Sequence, residues 1–179
     1  MPSDNYQLVA LPISEYLQNY LCGKLKVEPI TIKGGSKATQ IAITKRSFFG
    51  ELIITNLKPS KSFNKNQSSF YIKISDQASN RTPGIPDTRN TIVKLPESKC
   101  IIIEKLLRSS LESELVAHID GAIYAHNKAH GTKKGIAHDC IYNFMEKNGL
   151  PFSSSMFETL KKIYYRAKKT AKPFKTLAV

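Results

Sequence analysis

The chain has 179 residues and carries 27 Lys and Arg against 14 Asp and Glu, a formal net charge of +13. That length suits one compact domain with an appendage, or two small domains. Apolar residues make up 41%, enough for a real core, which excludes a globally disordered chain. A domain this basic meets phosphate, on nucleic acid or on a membrane surface. Apolar runs such as Cys100 to Ile103 fall far short of the roughly 20 residues of a membrane span. Residues 1–14 have no positive region followed by an apolar one, so no signal peptide is read. Cys22, Cys100 and Cys140 are odd in number and scattered, which argues against a disulfide framework and predicts a reducing, cytoplasmic setting.

In chain order, Ile13, Tyr16, Leu17, Tyr20 and Leu21 follow the spacing of a buried helical stripe. A short helix is predicted from about Ile13 to Cys22, with Pro12 before it and Gly23 as its stop. Core packing rather than base stacking is expected for Tyr16 and Tyr20. Val27 to Ile32 alternates like a strand, Gly34-Gly35 reads as a turn, and Ile41 to Thr44 as the returning strand. The two glycines are no phosphate loop, because no Gly-x-x-x-x-Gly-Lys surrounds them.

Ser47 to Leu57 is ambiguous between helix and strand. Phe48, Phe49, Leu52, Ile53 and Leu57 share one face of a helix capped by Ser47, so helix is the reading taken. Pro59 to Ser69 is a polar loop. Phe70 to Ser75 (FYIKIS) is the clearest strand, suited to a half-buried sheet. From Asp76 to Thr91 a Pro-, Gly- and Asn-rich surface loop follows, in which Arg81 and Arg89 are read as solvated charges.

Pro96 opens a long helix reaching toward His126, with Ile103, Leu106, Leu107, Leu111, Leu115, Ile119 and Ile123 at helical spacing and a kink expected at Gly121. Its Glu104, Glu112, Glu114 and Asp120 outnumber Lys105 and Arg108, so it is read as scaffold. His126 to Gly135 reads as a linker.

A pair of helices closes the chain. Ile136 to Asn148 is amphipathic through Ile136, Ala137, Cys140, Ile141, Phe144 and Met145. Gly149 is placed as the left-handed residue after the helix, with Leu150 as the accompanying apolar contact, and Pro151 bars continuation. Ser155 and Glu158 form an S-x-x-E capping box that starts the last helix at Met156. Phe157, Leu160, Tyr164, Ala167 and Ala171 make its apolar stripe. The remaining surface carries Lys161, Lys162, Tyr165, Arg166, Lys168, Lys169 and Lys172.

Seven cations stand against one anion between Glu158 and Lys175. Like charges at i, i+4 destabilise a helix by a few tenths of a kcal/mol each, about 0.2–0.5. Such a cluster makes physical sense when a polyanion neutralises it and condensed counterions are released. Tyr165 adds a ring that can stack on a base or donate to phosphate. A basic second helix after a turn resembles a helix-turn-helix, although residues 149–155 exceed the usual tight turn. Membrane attachment fits less well, since the apolar stripe is committed to the partner helix.

The segments LPFSSSMFETLKKIYYRAKK and LPISEYLQNYL resemble those of small, uncharacterised basic proteins encoded in Bacteroidales genomes and their mobile elements. The resemblance implies a bacterial cytoplasmic protein associated with phage or conjugative elements. It implies no activity and no site residues.

Motifs for catalysis are lacking. His126 and His130 lie at i, i+4, with His138 and Cys140 further on, but no H-E-x-x-H occurs, and solvated histidines are the reading taken over a metal site. No carboxylate constellation of a metal-dependent nuclease stands out, and Glu112 and Glu114 diverge on a helix. No G-x-S-x-G, C-x-x-C or dinucleotide fingerprint is present.

The expectation is therefore an α+β protein: a small mixed region over residues 1–95 with a few strands, a long helix and linker over 96–130, and a basic helix pair over 133–173. It is expected to be no enzyme, to need no metal or cofactor, and to bind DNA rather than RNA through its last helix, as a regulator or accessory factor. The alternative is a scaffold or assembly protein whose basic tail binds an acidic protein or RNA. A divergent nuclease or recombinase fragment is the third reading.

Overall fold

A computed structural model describes residues 6–26, 39–42, 48–61, 70–75, 92–130 and 136–170. In chain order these form strand β1 (Tyr6–Ala10), helix α1 (Glu15–Leu25), strand β2 (Thr39–Ala42), helix α2 (Phe48–Thr55), strands β3 (Lys58–Pro59), β4 (Phe70–Ser75) and β5 (Val93–Lys94), and helices α3 (Glu97–His130), α4 (Ile136–Lys147) and α5 (Ser154–Thr170). The class is α+β. The described residues fall into two compact units: one takes the chain up to Ser14 and from Val27 to Glu104, the other Glu15–Lys26 and the chain from Lys105 onward. Helix α1, read from sequence as part of the N-terminal region, thus packs with the C-terminal helices.

In the first unit β4 is the middle of a three-stranded sheet. β1 runs antiparallel to it, with Val9 opposite Ile72, and β2 runs parallel, with Ile41 opposite the same residue. Phe70, Tyr71 and Ile72 are all buried. A strand paired on both edges and covered on both faces reads as a continuous apolar run, not the half-buried strand expected from FYIKIS. The sequence reading missed β1, whose partner lies far along the chain. It also missed the two-residue pair β3–β5, in which Pro59 faces Val93 and Ser60 N–H donates to Ile92 O at 2.7 Å.

The helix reading of α2 holds. Its buried side chains are Ile53 and Ile54, followed by Leu57, whereas Phe49 and Leu52 are only half-buried. Its final carbonyls are satisfied locally: Thr55 Oγ1 donates to Glu51 O at 2.8 Å and Asn56 Nδ2 to Leu52 O at 2.7 Å.

Helix α3 belongs to both units: its first turns, to Glu104, count with the first, and from Lys105 onward it is the spine of the second. The Pro96 carbonyl accepts from Lys99 and Cys100 N–H at 2.9 and 3.0 Å, which begins the helix. Ile103, Leu107, Leu111, Leu115 and Ile119 are buried along one side. Leu106, placed in that stripe from sequence, is 45% exposed; three residues after Ile103, it falls beyond the edge of a face made by four-residue steps. The helix continues through Gly121 to His130, taking in the first five residues of the segment read as a linker.

Acidic residues of α3 serve as attachment points. Glu114 pairs with Lys24 of α1 at 2.5 Å, and Tyr20 OH lies 3.5 Å from Ser110 Oγ. Burial, helped by Glu114, pushes the Tyr20 phenol up to about 12. Tyr20 is therefore a core residue, as expected. Gly23 does not stop α1: the helix passes through it to Leu25, and Lys26 takes the positive φ of 51° that ends it.

The strand and turn expected at 27–35, Ser47 as a cap, most of the 59–69 loop, the 76–91 loop with Arg81 and Arg89, Gly131–Gly135, Ala171 and Lys172 lie outside the described residues.

Candidate nucleic-acid interface

The basic helix is held at its start by the turn before it. Gly149 sits at φ +60°, the left-handed conformation that glycine adopts without a Cβ penalty. Gly149 N–H donates to Glu146 O at 3.1 Å and Leu150 N–H to Met145 O at 2.9 Å. This is the Schellman pattern, with Leu150 and Met145 both buried as its apolar pair. The cap of α5 is Ser153, not Ser155. Met156 N–H donates to Ser153 Oγ at 3.2 Å, and Phe157 N–H to Ser153 O at 3.0 Å. Ser155 lies inside the first turn, its carbonyl accepting from Thr159 Oγ1 at 2.8 Å. The serine run 153–155 offers three candidate caps, and the first of them makes the bond.

One face of α5 is fastened to the core. Met156, Phe157, Leu160 and Tyr164 are buried. Tyr164 OH donates to Asp120 Oδ1 at 3.0 Å, and burial together with that carboxylate pushes its phenol up to about 12. Lys168 pairs with the other oxygen of Asp120 at 2.5 Å and lies 5.9 Å from the Tyr164 ring centre. Lys168 is thus engaged by α3 at the edge of the surface that the sequence assigns to a polyanion.

The rest of the helix surface presents Lys161, Lys162, Tyr165, Arg166 and Lys169, which with Glu158 line an open concavity of about 220 Å³. Lys161 is partly engaged by Glu158 at 3.2 Å. Among the described residues no ion pair is formed by Lys162 or Lys169. Cations near a helix C-terminus are favoured by the macrodipole, and this accounts for Lys168 and Lys169 in the last turn. It does not account for Lys162 and Arg166 in the middle of the helix, where like charges at i, i+4 repel each other.

The sequence reading did not single out a second feature. Phe157 stacks on Tyr142 of α4 at 4.7 Å and 23°, and Tyr142 on Phe152 at 6.5 Å and 13°. His138 meets the Phe157 ring edge-on at 4.9 Å. Lys161 Nζ lies 5.9 Å from the Phe157 ring centre, so the basic face continues into this group of rings. The signal in the sequence was an aromatic directly after Pro151, at a position a turn does not need it.

Among the described residues, no group of three or more His, Cys, Asp or Glu is placed to hold a metal ion. The rings of His126 and His130 lie 4.6 Å apart, tilted at 47° to each other. The cysteines are unpaired, with Cys100 and Cys140 buried, and burial raises all three thiols. No described helix is long and apolar enough to cross a membrane. No protein-family model, curated protein or solved structure matches the chain.

Proposed function

We propose that this protein binds DNA through the outward face of α5, acting in the cytoplasm as a regulatory or accessory factor and not as an enzyme. One observation carries the reading: Lys161, Lys162, Tyr165, Arg166 and Lys169 share a single face around one concavity, while the other face of the same helix is buried. Like charges gathered on one side, such as Lys162 and Arg166 at i, i+4, repel each other, and a polyanion that displaces their counterions relieves that repulsion. The resemblance to basic proteins of Bacteroidales mobile elements suggests a setting in phage or conjugative biology.

The test is fluorescence anisotropy with labelled DNA across a salt series. Replacing Lys161, Lys162 and Arg166 by Ala should flatten the slope of log K against log salt by about 2–3 units, at about 0.9 per phosphate contact on duplex. A wild-type protein that binds no DNA at low salt, or a triple variant that keeps the wild-type slope, refutes the reading.

A further inference from the structure

We infer that the rings beside the basic face of α5 form a stacking platform, so that the protein takes single-stranded DNA in preference to duplex. The inference rests on the DNA-binding reading and extends it to the state of the strand. Phe152 is 66% exposed and Tyr142 46% exposed, whereas Phe157 is 6% exposed. The nearly parallel rings thus run from the core outward, and the outermost is the least covered. Folding does not explain Phe152 there. Left largely in water, its ring contributes little burial, and a polar residue would serve the turn between Pro151 and the Ser153 cap equally well.

What the arrangement does provide is an aromatic face whose orientation is set in advance. Phe157 is anchored in the core and Tyr142 rests on it, so little rotamer freedom is lost when a further planar group adds to the stack. The partner is chosen by what adjoins the rings. Lys161 reaches the Phe157 ring, and Lys162, Arg166 and Lys169 continue along the same helix face. A ligand spanning both parts needs flat apolar faces and regularly spaced negative charges. A single strand has both, with bases free to stack and phosphates close by. A duplex keeps its base faces inside its own stack and offers the rings only sugar edges. Recognition by stacking accepts any base, so little sequence preference is expected.

The experiment compares binding of labelled oligothymidylate, a hairpin duplex and oligouridylate to full-length wild type, Phe152→Ala, Tyr142→Ala with Phe152→Ala, and the Lys161, Lys162, Arg166 triple Ala variant. Circular dichroism confirms that each is folded, and Phe152→Ala, at an exposed turn position, is expected to keep the fold. Wild type should prefer oligothymidylate over duplex. Phe152→Ala should weaken oligothymidylate binding by about 5- to 100-fold, the range for loss of one stacked base, with duplex binding and the salt slope unchanged. Equal binding of oligothymidylate by wild type and the ring variants overturns the inference, as does an equal loss on both DNAs. Tighter binding of oligouridylate overturns the assignment to DNA. A fall in solution mass caused by Phe152→Ala gives the rings to self-association instead. If only the triple variant loses DNA, the inference fails and the DNA-binding reading survives; if wild type binds neither DNA, both fail.

Discussion

The main-chain carbonyl oxygen of Asn148 lies so close over Gly23 that a Cβ on residue 23 would sit 1.8 Å from it. Helix α1 and the turn that launches α5 therefore meet backbone against backbone, with Gly149 also within 3.6 Å of the Gly23 Cα by the same measure. Ala is the better helix former by about 1 kcal/mol, yet Gly23→Ala should destabilise, because neither main chain can move aside without disturbing its helix. Overpacking of this kind costs about 1–3 kcal/mol. Gly121→Ala is the control: a Cβ there meets nothing within 4 Å, and the substitution should stabilise by about 0.5–1 kcal/mol. Urea midpoints of the two variants should move in opposite directions from wild type.

Ser153→Ala should cost about 1 kcal/mol through loss of the cap on Met156 N–H. Ser155→Ala should cost less, since its Oγ makes only an exposed bond with Ser153 Oγ at 3.1 Å and its backbone carbonyl makes the bond to Thr159. Equal losses from the two substitutions in chemical denaturation would count against Ser153 as the cap.

Cations on the two sides of α5 should separate in a salt titration. Lys162→Ala should remove close to one phosphate contact, about 0.9 of slope on duplex DNA. Lys168→Ala should flatten the slope less, because Asp120 on another helix already holds that ammonium group. A Lys168 variant that flattens the slope as much as a Lys162 variant would place the interface around the other side of the helix.

Stability should fall at alkaline pH. Tyr20 and Tyr164 ionise near 12 in the folded chain, against about 10 for a tyrosine in an unfolded one. Between those values the unfolded state gives up its protons first, so the contribution of the two phenols is full below about 10 and is lost as pH rises toward 12. Tyr164→Phe should lower stability at neutral pH by removing the bond to Asp120, and should make the alkaline decline shallower. At the acid end, burial, then the charge of Lys147, lowers the His118 pKa. That contribution is present above the ordinary histidine range and is lost as pH falls through the lowered value. Thermal melts across pH, paired with His118→Gln, check this arm.

What could be read from the residues was local. The stripe of α4, the glycine that ends it and the apolar side of α5 follow from contacts within a few positions, and they hold in the structure. Strand β1 was not legible, because Tyr6–Ala10 becomes a strand only by pairing with β4, and nothing near it in sequence states that partner. Ser155 was chosen as cap because Glu158 completes a known pattern, but Ser153 makes the bond, and Glu158 pairs with Lys161 instead. Lys161, Lys162, Tyr165, Arg166 and Lys169 were legible as one surface because helical spacing alone groups them. The pairing of Lys168 was not legible, because its partner, Asp120, is on another helix. Phe152 and Tyr142 were missed since their stacking on Phe157 joins three elements.

Helix α1 belongs by its packing to the unit that contains the last helices, although the chain on either side of it, up to Ser14 and from Val27, belongs to the other. During synthesis α1 leaves the ribosome early, while Ser110, Glu114 and Asn148, the groups that receive it, do not yet exist. The helix must therefore wait, exposed or provisionally shielded, for the greater part of translation. The same threading means that a cut between Glu104 and Lys105 does not release two self-sufficient halves. The downstream piece would lack Tyr20, Gly23 and Lys24, and would leave the turn that launches α5 without the backbone it rests on.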